Sequence, residues 1–527
     1  MKVTLLQNAR IYTGDDCHPW AEALAIVDGK VVAWDQDAFG WADAPGAIQQ
    51  DLDGALVVPG MTDAHLHLMW YALSLQMLDL RDLSKAQLLA RLGDRAAQTP
   101  SEIWVQGRGW DQNLWPDAQL PTAVDLDRVA PHCPVLLIAK NAHAAVANSA
   151  ALHLAGIVGK VPDPEHGRFG RKADGSPDGM LFERAIDRVR AVIPEPTLPQ
   201  IVDALRGAQK HLLAMGLTGI HDVDAGPAFA AFQALHHEDA LLVRVVKYIQ
   251  LEALDAAITM GLRSGFGDAW LRFGGLKLFA DGALGARTAA LLAPYEGDPD
   301  NVGVLTLEPE QLQDIAARAT KSGIAMAIHA IGDRASHMIL DVLESLPPAA
   351  VALRHRIEHL QLLAPSDISR LVASDVVASM QPVHATHDWQ MADRYWGART
   401  ASAYPWRTLL QAGVPLAFGS DAPIESFNPL TGLYAAVTRR HEVDGTPGPA
   451  GWHPEQRLSL EQALHAYTQG AAYAAGVEST VGKLAPGFWA DLVVLDRDIF
   501  RLPPEALLEA QVLRTMVAGD WRFSRGE

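Results

Sequence analysis

Two cysteines, Cys17 and Cys133, are all that 527 residues contain. Two isolated thiols build neither a disulfide framework nor a thiolate zinc site. Positive charge is also scarce: the formal net charge is -19. That balance repels phosphate backbones and anionic lipid, so neither nucleic acid nor membrane is an expected partner. No apolar run is long enough to span a bilayer, and no apolar stretch of signal-peptide type follows Met1-Lys2-Val3. The expectation is a soluble, cytoplasmic protein. Aromatics make up only 7%, whereas 49% of the chain is hydrophobic, ample for a large core. Histidine is plentiful, with 20 residues.

Strands alternate with helical patterns through the middle of the chain, as in a parallel α/β architecture. Eight candidate strands end near His65, Asp222, Gln250, Asp281, His329, His359, Gln381 and Asp421. Helical patterns such as Pro309 to Ser322 and Asp333 to Ser345 follow most of them. The fold class expected is a (β/α)₈ TIM barrel whose site lies at the strands' C-terminal ends. Both chain ends read as short strands, with Asp28-Gly29-Lys30 as a hairpin turn. Neither end buries a core alone, so a small composite β-sandwich is expected from residues 1–58 and 476–527. The barrel then occupies 59–84 and 201–475. Residues 85–200 are too many for one connection. They carry strands at Ile103–Gln106 and Val135–Ile138 and form an α/β insertion after the first barrel strand, expected to cover the active site.

The chemistry gathers at strand ends. Pro59-Gly60-Met61-Thr62-Asp63-Ala64-His65-Leu66-His67 places two imidazoles on one face of a strand. His329, His359 and Asp421 end three further strands. One histidine at a strand end is ordinarily a hydrogen-bonded structural residue; four histidines and an aspartate on one barrel rim suit zinc and neighbouring divalent ions. Lys277 lies in an apolar strand, Leu276-Lys277-Leu278-Phe279, as an outward or paired lysine or as an amine converted to a carbamate. His221 and His384, near other strand ends, serve either to bind substrate and orient ligands or as structural residues. Trp110 and Trp115 in the insertion, and Trp389, Tyr395 and Trp396 after His384, are candidates for an apolar pocket or for core.

These motifs resemble the amidohydrolase superfamily, in its amidohydrolase-3 branch of YtcJ-like proteins. The resemblance spans essentially the whole chain. It rests on Pro59 through His67, Gly109-Trp110-Asp111-Gln112-Asn113-Leu114-Trp115, Leu276 through Ala289, the His329 and His359 motifs, Gly419-Ser420-Asp421 and Gly487 through Leu495. It implies that His65, His67 and Asp421 hold one divalent metal, zinc being favoured, and that His329 and His359 hold a second. Lys277, as N6-carboxylysine, would bridge them. A metal-bound hydroxide would then attack a carbon–nitrogen bond other than a peptide bond, in an amide or N-substituted formamide, with Asp421 shuttling the proton. Ester or phosphoester hydrolysis, deamination at one metal, and a silent binding barrel are the alternatives. The partner is a small-molecule substrate, and a homo-oligomer is left open.

Overall fold

The computed structural model describes residues 1–112, 115, 119–140 and 143–526. The chain divides into two compact units, one of Met1–Tyr71 with Leu205–Glu527 and one of Ala72–Ala204.

The first unit holds the barrel. Its eight parallel strands are β1 (Met61–Leu66), β2 (Leu217–Asp222), β3 (Arg244–Gln250), β4 (Leu271–Phe279), β5 (Met326–Ala330), β6 (Arg356–His359), β7 (Val377–Met380) and β8 (Leu416–Phe418). They lie side by side in chain order. Each ends within three residues of the position expected from sequence. β1, β6, β7 and β8 are buried along their whole length, as parallel strands covered on both faces must be. Closure comes just past β8, where the Asp421 N–H donates to the His65 carbonyl at 2.7 Å and the His67 N–H to Ala422 at 2.8 Å. Gly419 is required there: a Cβ would sit 2.5 Å from the His65 nitrogen. The expected helices appear as Pro309–Lys321 and Asp333–Ser345. Pro309 opens the first of them, where its missing N–H costs nothing.

The two chain ends meet in the same unit. Leu492–Leu495 pairs antiparallel with Leu56–Pro59 inside a six-stranded sheet. A four-stranded sheet from the N-terminal segment packs with it around Leu6, Leu24, Val57, Leu492, Val494 and Met516. The hairpin falls at the expected turn, with Asp28 and Gly29 at φ of 47° and 84°, the mirror-image geometry that suits twisted strands. A Cβ on Gly29 would also lie 2.5 Å from the Ala518 carbonyl.

The second unit is a six-stranded mixed sheet, with helices including Lys85–Ala97, which Ser84 caps. It begins and ends outside the 85–200 expected from sequence. Its second strand starts at Val105 instead of Ile103, because Pro100 to Ile103 closes a turn. Leu88, Leu92, Trp110, Trp115 and Leu137 form its core. Asn113 and Leu114 lie outside the described residues. No described helix is long and apolar enough to cross a membrane.

Sandwich and barrel are joined by a buried ion pair. Arg244, at the start of β3, donates Nε to Asp491 Oδ2 at 2.6 Å and Nη2 to Oδ1 at 2.9 Å. Removing one partner strands the other charge away from water. Asp491→Ala should therefore destabilise the unit by about 3–5 kcal/mol. Thermal denaturation checks this; an unchanged Tm would show the pair to be dispensable.

Candidate metal centre

The pleat of β1 turns Asp63 and His65 to one side of the strand, and His67 follows just beyond its end. His65 Nε2 and His67 Nε2 each lie 3.5 Å from Asp421 Oδ1. His384 Nε2, from the first turn of the helix Pro382–Trp396, lies 3.8 Å from Asp421 Oδ2. Two sets of donor atoms are thereby brought within 4.8 Å of one another: His65, His67 and Asp421, and His359, His384 and Asp421. His359 and Asp421 hold positive φ, 71° and 61°, at the bends that turn their side chains inward.

The outer nitrogens are already engaged. His65 Nδ1 lies 2.5 Å from Glu358, His67 Nδ1 3.2 Å from Asp224 and His359 Nδ1 2.8 Å from Gln381 Oε1. Each Nδ1–H donates outward, which leaves the Nε2 of His65 and His359 with a lone pair, while His67 Nε2 shares its proton with Asp421 until a metal displaces it. His329 is the reverse case: its Nε2 donates to the Gly282 carbonyl at 2.9 Å and leaves Nδ1 free. Its ring lies 4.6 Å from that of His359. His329 is outside the two tight donor sets, and His384, expected to bind substrate and orient ligands or to be structural, is inside one.

Electrostatics fit a cation. Burial lowers His65, and lowers His359 strongly, so both stay neutral. Burial and the Lys277 charge pull His329 down to about 3. Asp421 is held well below the usual carboxylate range: burial opposes this, but His67 and the neighbouring imidazoles outweigh it. Burial would lower His67 too, yet Asp224 and Asp421 push it up to about 9. A proton on His67 thus supplies positive charge at the point where a divalent ion would supply it. Burial brings the Lys277 ammonium down to about 8; the amine lies 3.8 Å from the Phe279 ring and donates to Leu278. The donor set fits a divalent metal.

Beneath this rim runs a network that the sequence reading did not assign. Fully buried Arg356 donates to both oxygens of Glu358, to Ser379 and the Ala64 carbonyl, and to His221 Nδ1 at 2.8 Å. His221 is 1% exposed. It is a buried acceptor for Arg356, beneath the rim. Trp110, a candidate for an apolar pocket or for core, packs in a core. It is 0% exposed in the core of its own unit, and its indole N–H donates to Leu137 at 3.0 Å. Asp63 accepts from Ser420 Oγ at 2.5 Å and ties β1 to the residues after β8.

A barrel with histidine and aspartate donors converging at its strand ends defines a metal-dependent hydrolase. Residues 50–523 match the model of the amidohydrolase family Amidohydro_3, and the chain belongs to that family. It is 34% identical to the putative amidohydrolase YtcJ of Bacillus subtilis, over 97% of each chain. It is 29% identical to the N-substituted formamide deformylase of Arthrobacter pascens, over 100% of this chain and 99% of that one. Among solved structures, an uncharacterized metal-dependent hydrolase from Pyrococcus furiosus superposes with a TM-score of 0.79 at 32% identity, covering 95% of this chain and 100% of that one.

Glu358 fixes the direction of His65, so Glu358→Ala should weaken metal binding by ~10–100-fold. The change also leaves Arg356 buried and unpaired. Glu358→Ala with Arg356→Met should recover thermal stability without recovering affinity. Full metal affinity in the double variant would contradict the orienting role.

Proposed function

We propose that this chain hydrolyses carbon–nitrogen bonds other than peptide bonds, in amides or N-substituted formamides. One observation carries the reading: Asp421 is an ionised carboxylate set among His65, His67 and His384 at the rim of the barrel. The full-length similarity to a formamide deformylase supports the choice of substrate.

His65, His67 and Asp421 would hold one divalent ion, zinc being favoured. His329 and His359 would hold a second. A bound ion polarises a substrate carbonyl and makes a water more acidic. The chain's own residues do the rest. Asp421, kept as a carboxylate, accepts a proton from the attacking water and returns it to the leaving nitrogen. His384 Nδ1 lies 3.3 Å from the Gln361 amide nitrogen, and His384 Nε2 is buried without a hydrogen-bond partner among the described residues. Nε2–H is thus available to a substrate oxygen. Asp421→Asn should keep metal but lower turnover by ~10²–10⁴-fold. Assays on a panel of amides, N-substituted formamides, esters and dipeptides, with metal content measured in parallel, test both points. Near-normal turnover in a metal-replete Asn variant would place the proton transfer elsewhere; ester turnover alone would overturn the substrate class.

Lys277 we read as carboxylated in the active enzyme. A neutral amine is the form that attacks carbon dioxide, forming the carbamate C–N bond and losing a proton. Burial lowers the cost of that form. The product is an anion with two oxygens beside two would-be cations. Lys277→Ala should lose metal and activity, and a short carboxylic acid should restore part of both. Lys277→Arg should fail, since guanidinium stays protonated. An unmodified amine in metal-replete, active crystals would overturn this reading.

A further inference from the structure

One turn beyond His384 on the same helix, His387 faces outward into a second cluster. Its Nδ1 lies 2.8 Å from Glu425 Oε2, on the segment after β8. Its Nε2 lies 3.0 Å from Glu442 Oε2 and 3.1 Å from Oε1. The ring of His441 lies 4.6 Å from that of His387. His441 Nδ1 accepts from the Val443 N–H at 3.3 Å and lies 3.2 Å from Asp444; a metal at Nε2 would move the ring proton to Nδ1, where Asp444 would accept it. Donor atoms of His387, His441 and Glu442 all fall within 4.8 Å of one another. All three are half-buried.

We propose that His387, His441 and Glu442 form a second divalent-metal site, separate from the barrel centre. Two imidazoles and one carboxylate suit zinc and its neighbours, and three protein ligands leave a fourth position for water. Glu425 holds His387 through Nδ1, as Asp224 holds His67 in the first centre. Without metal, both ring nitrogens of His387 meet carboxylates, so the imidazole carries two protons. Binding at Nε2 expels the proton shared with Glu442 to solvent, while Nδ1–H stays on Glu425. The ion replaces one positive charge by two among Glu425, Glu442 and Asp444. It ties the segment after the helix Pro429–Thr438 to the helix Pro382–Trp396, whose first turn carries His384.

The test uses the holoenzyme, equilibrated with micromolar zinc, desalted, and its metal counted. Wild type should carry one zinc more per chain than His387→Gln/His441→Gln. Glu442→Gln, nearly isosteric and free of the histidine changes, should lose the same increment. Retained turnover and unchanged circular dichroism show that the variants fold. Anomalous diffraction at the zinc edge should show a peak bounded by the three side chains. Equal zinc in all three proteins, or no peak there, would overturn the proposal and leave the cluster a protonated ion pair.

Discussion

Arg356 and Glu358 stand two apart on β6, both wholly buried, and the rim above depends on them. A guanidinium and a carboxylate enclosed in a barrel are tolerable only as a pair with every donor placed. Arg356 therefore spends its N–H groups on Glu358, Ser379, His221 and the Ala64 carbonyl. Glu358, so neutralised, keeps its charge far below the ordinary carboxylate range against the pull of burial. Its second oxygen then fixes His65. The direction of the first imidazole is thus set by a salt bridge that never meets a substrate.

The same logic repeats outward with weaker partners. Asp224 takes His67 Nδ1 and also accepts from the Met69 N–H at 2.6 Å, where the next helix begins. Gln381 takes His359 Nδ1 with a neutral amide, so no second buried charge is needed. Asp63 locks Ser420 to β1, which places Asp421 across the seam where the barrel closes. Closure and site formation are one event: β8 meets β1 through backbone hydrogen bonds of His65 and Asp421 themselves.

The barrel was legible because strands ending in His65, Asp222, Gln250 and His359 break an apolar run with a polar residue, and that break falls where the strand leaves the core. The histidines and the aspartate that converge at the rim were legible for the same reason. The supporting layer was not. Glu358 and Arg356 lie inside a four-residue strand whose pleat alone does not say which face looks into the lumen. His221 stands one residue before the end of its strand, close to where His359 ends its own, yet it lies beneath the rim as an acceptor for Arg356. Trp110 sits beside polar residues in sequence, but the parallel pairing of Val105–Trp110 with Val135–Ala139 puts it in a core. The His387 cluster joins a helix, a segment after β8 and a segment near residue 441, and no local spacing links them.

A divalent ion held by the rim histidines and Asp421 is proposed to be required for turnover. Metal content and activity, followed together as a strong chelator removes the ions, test it most directly. Both should fall in proportion, and zinc, manganese or cobalt should restore turnover. Full activity in verified metal-free protein would contradict it.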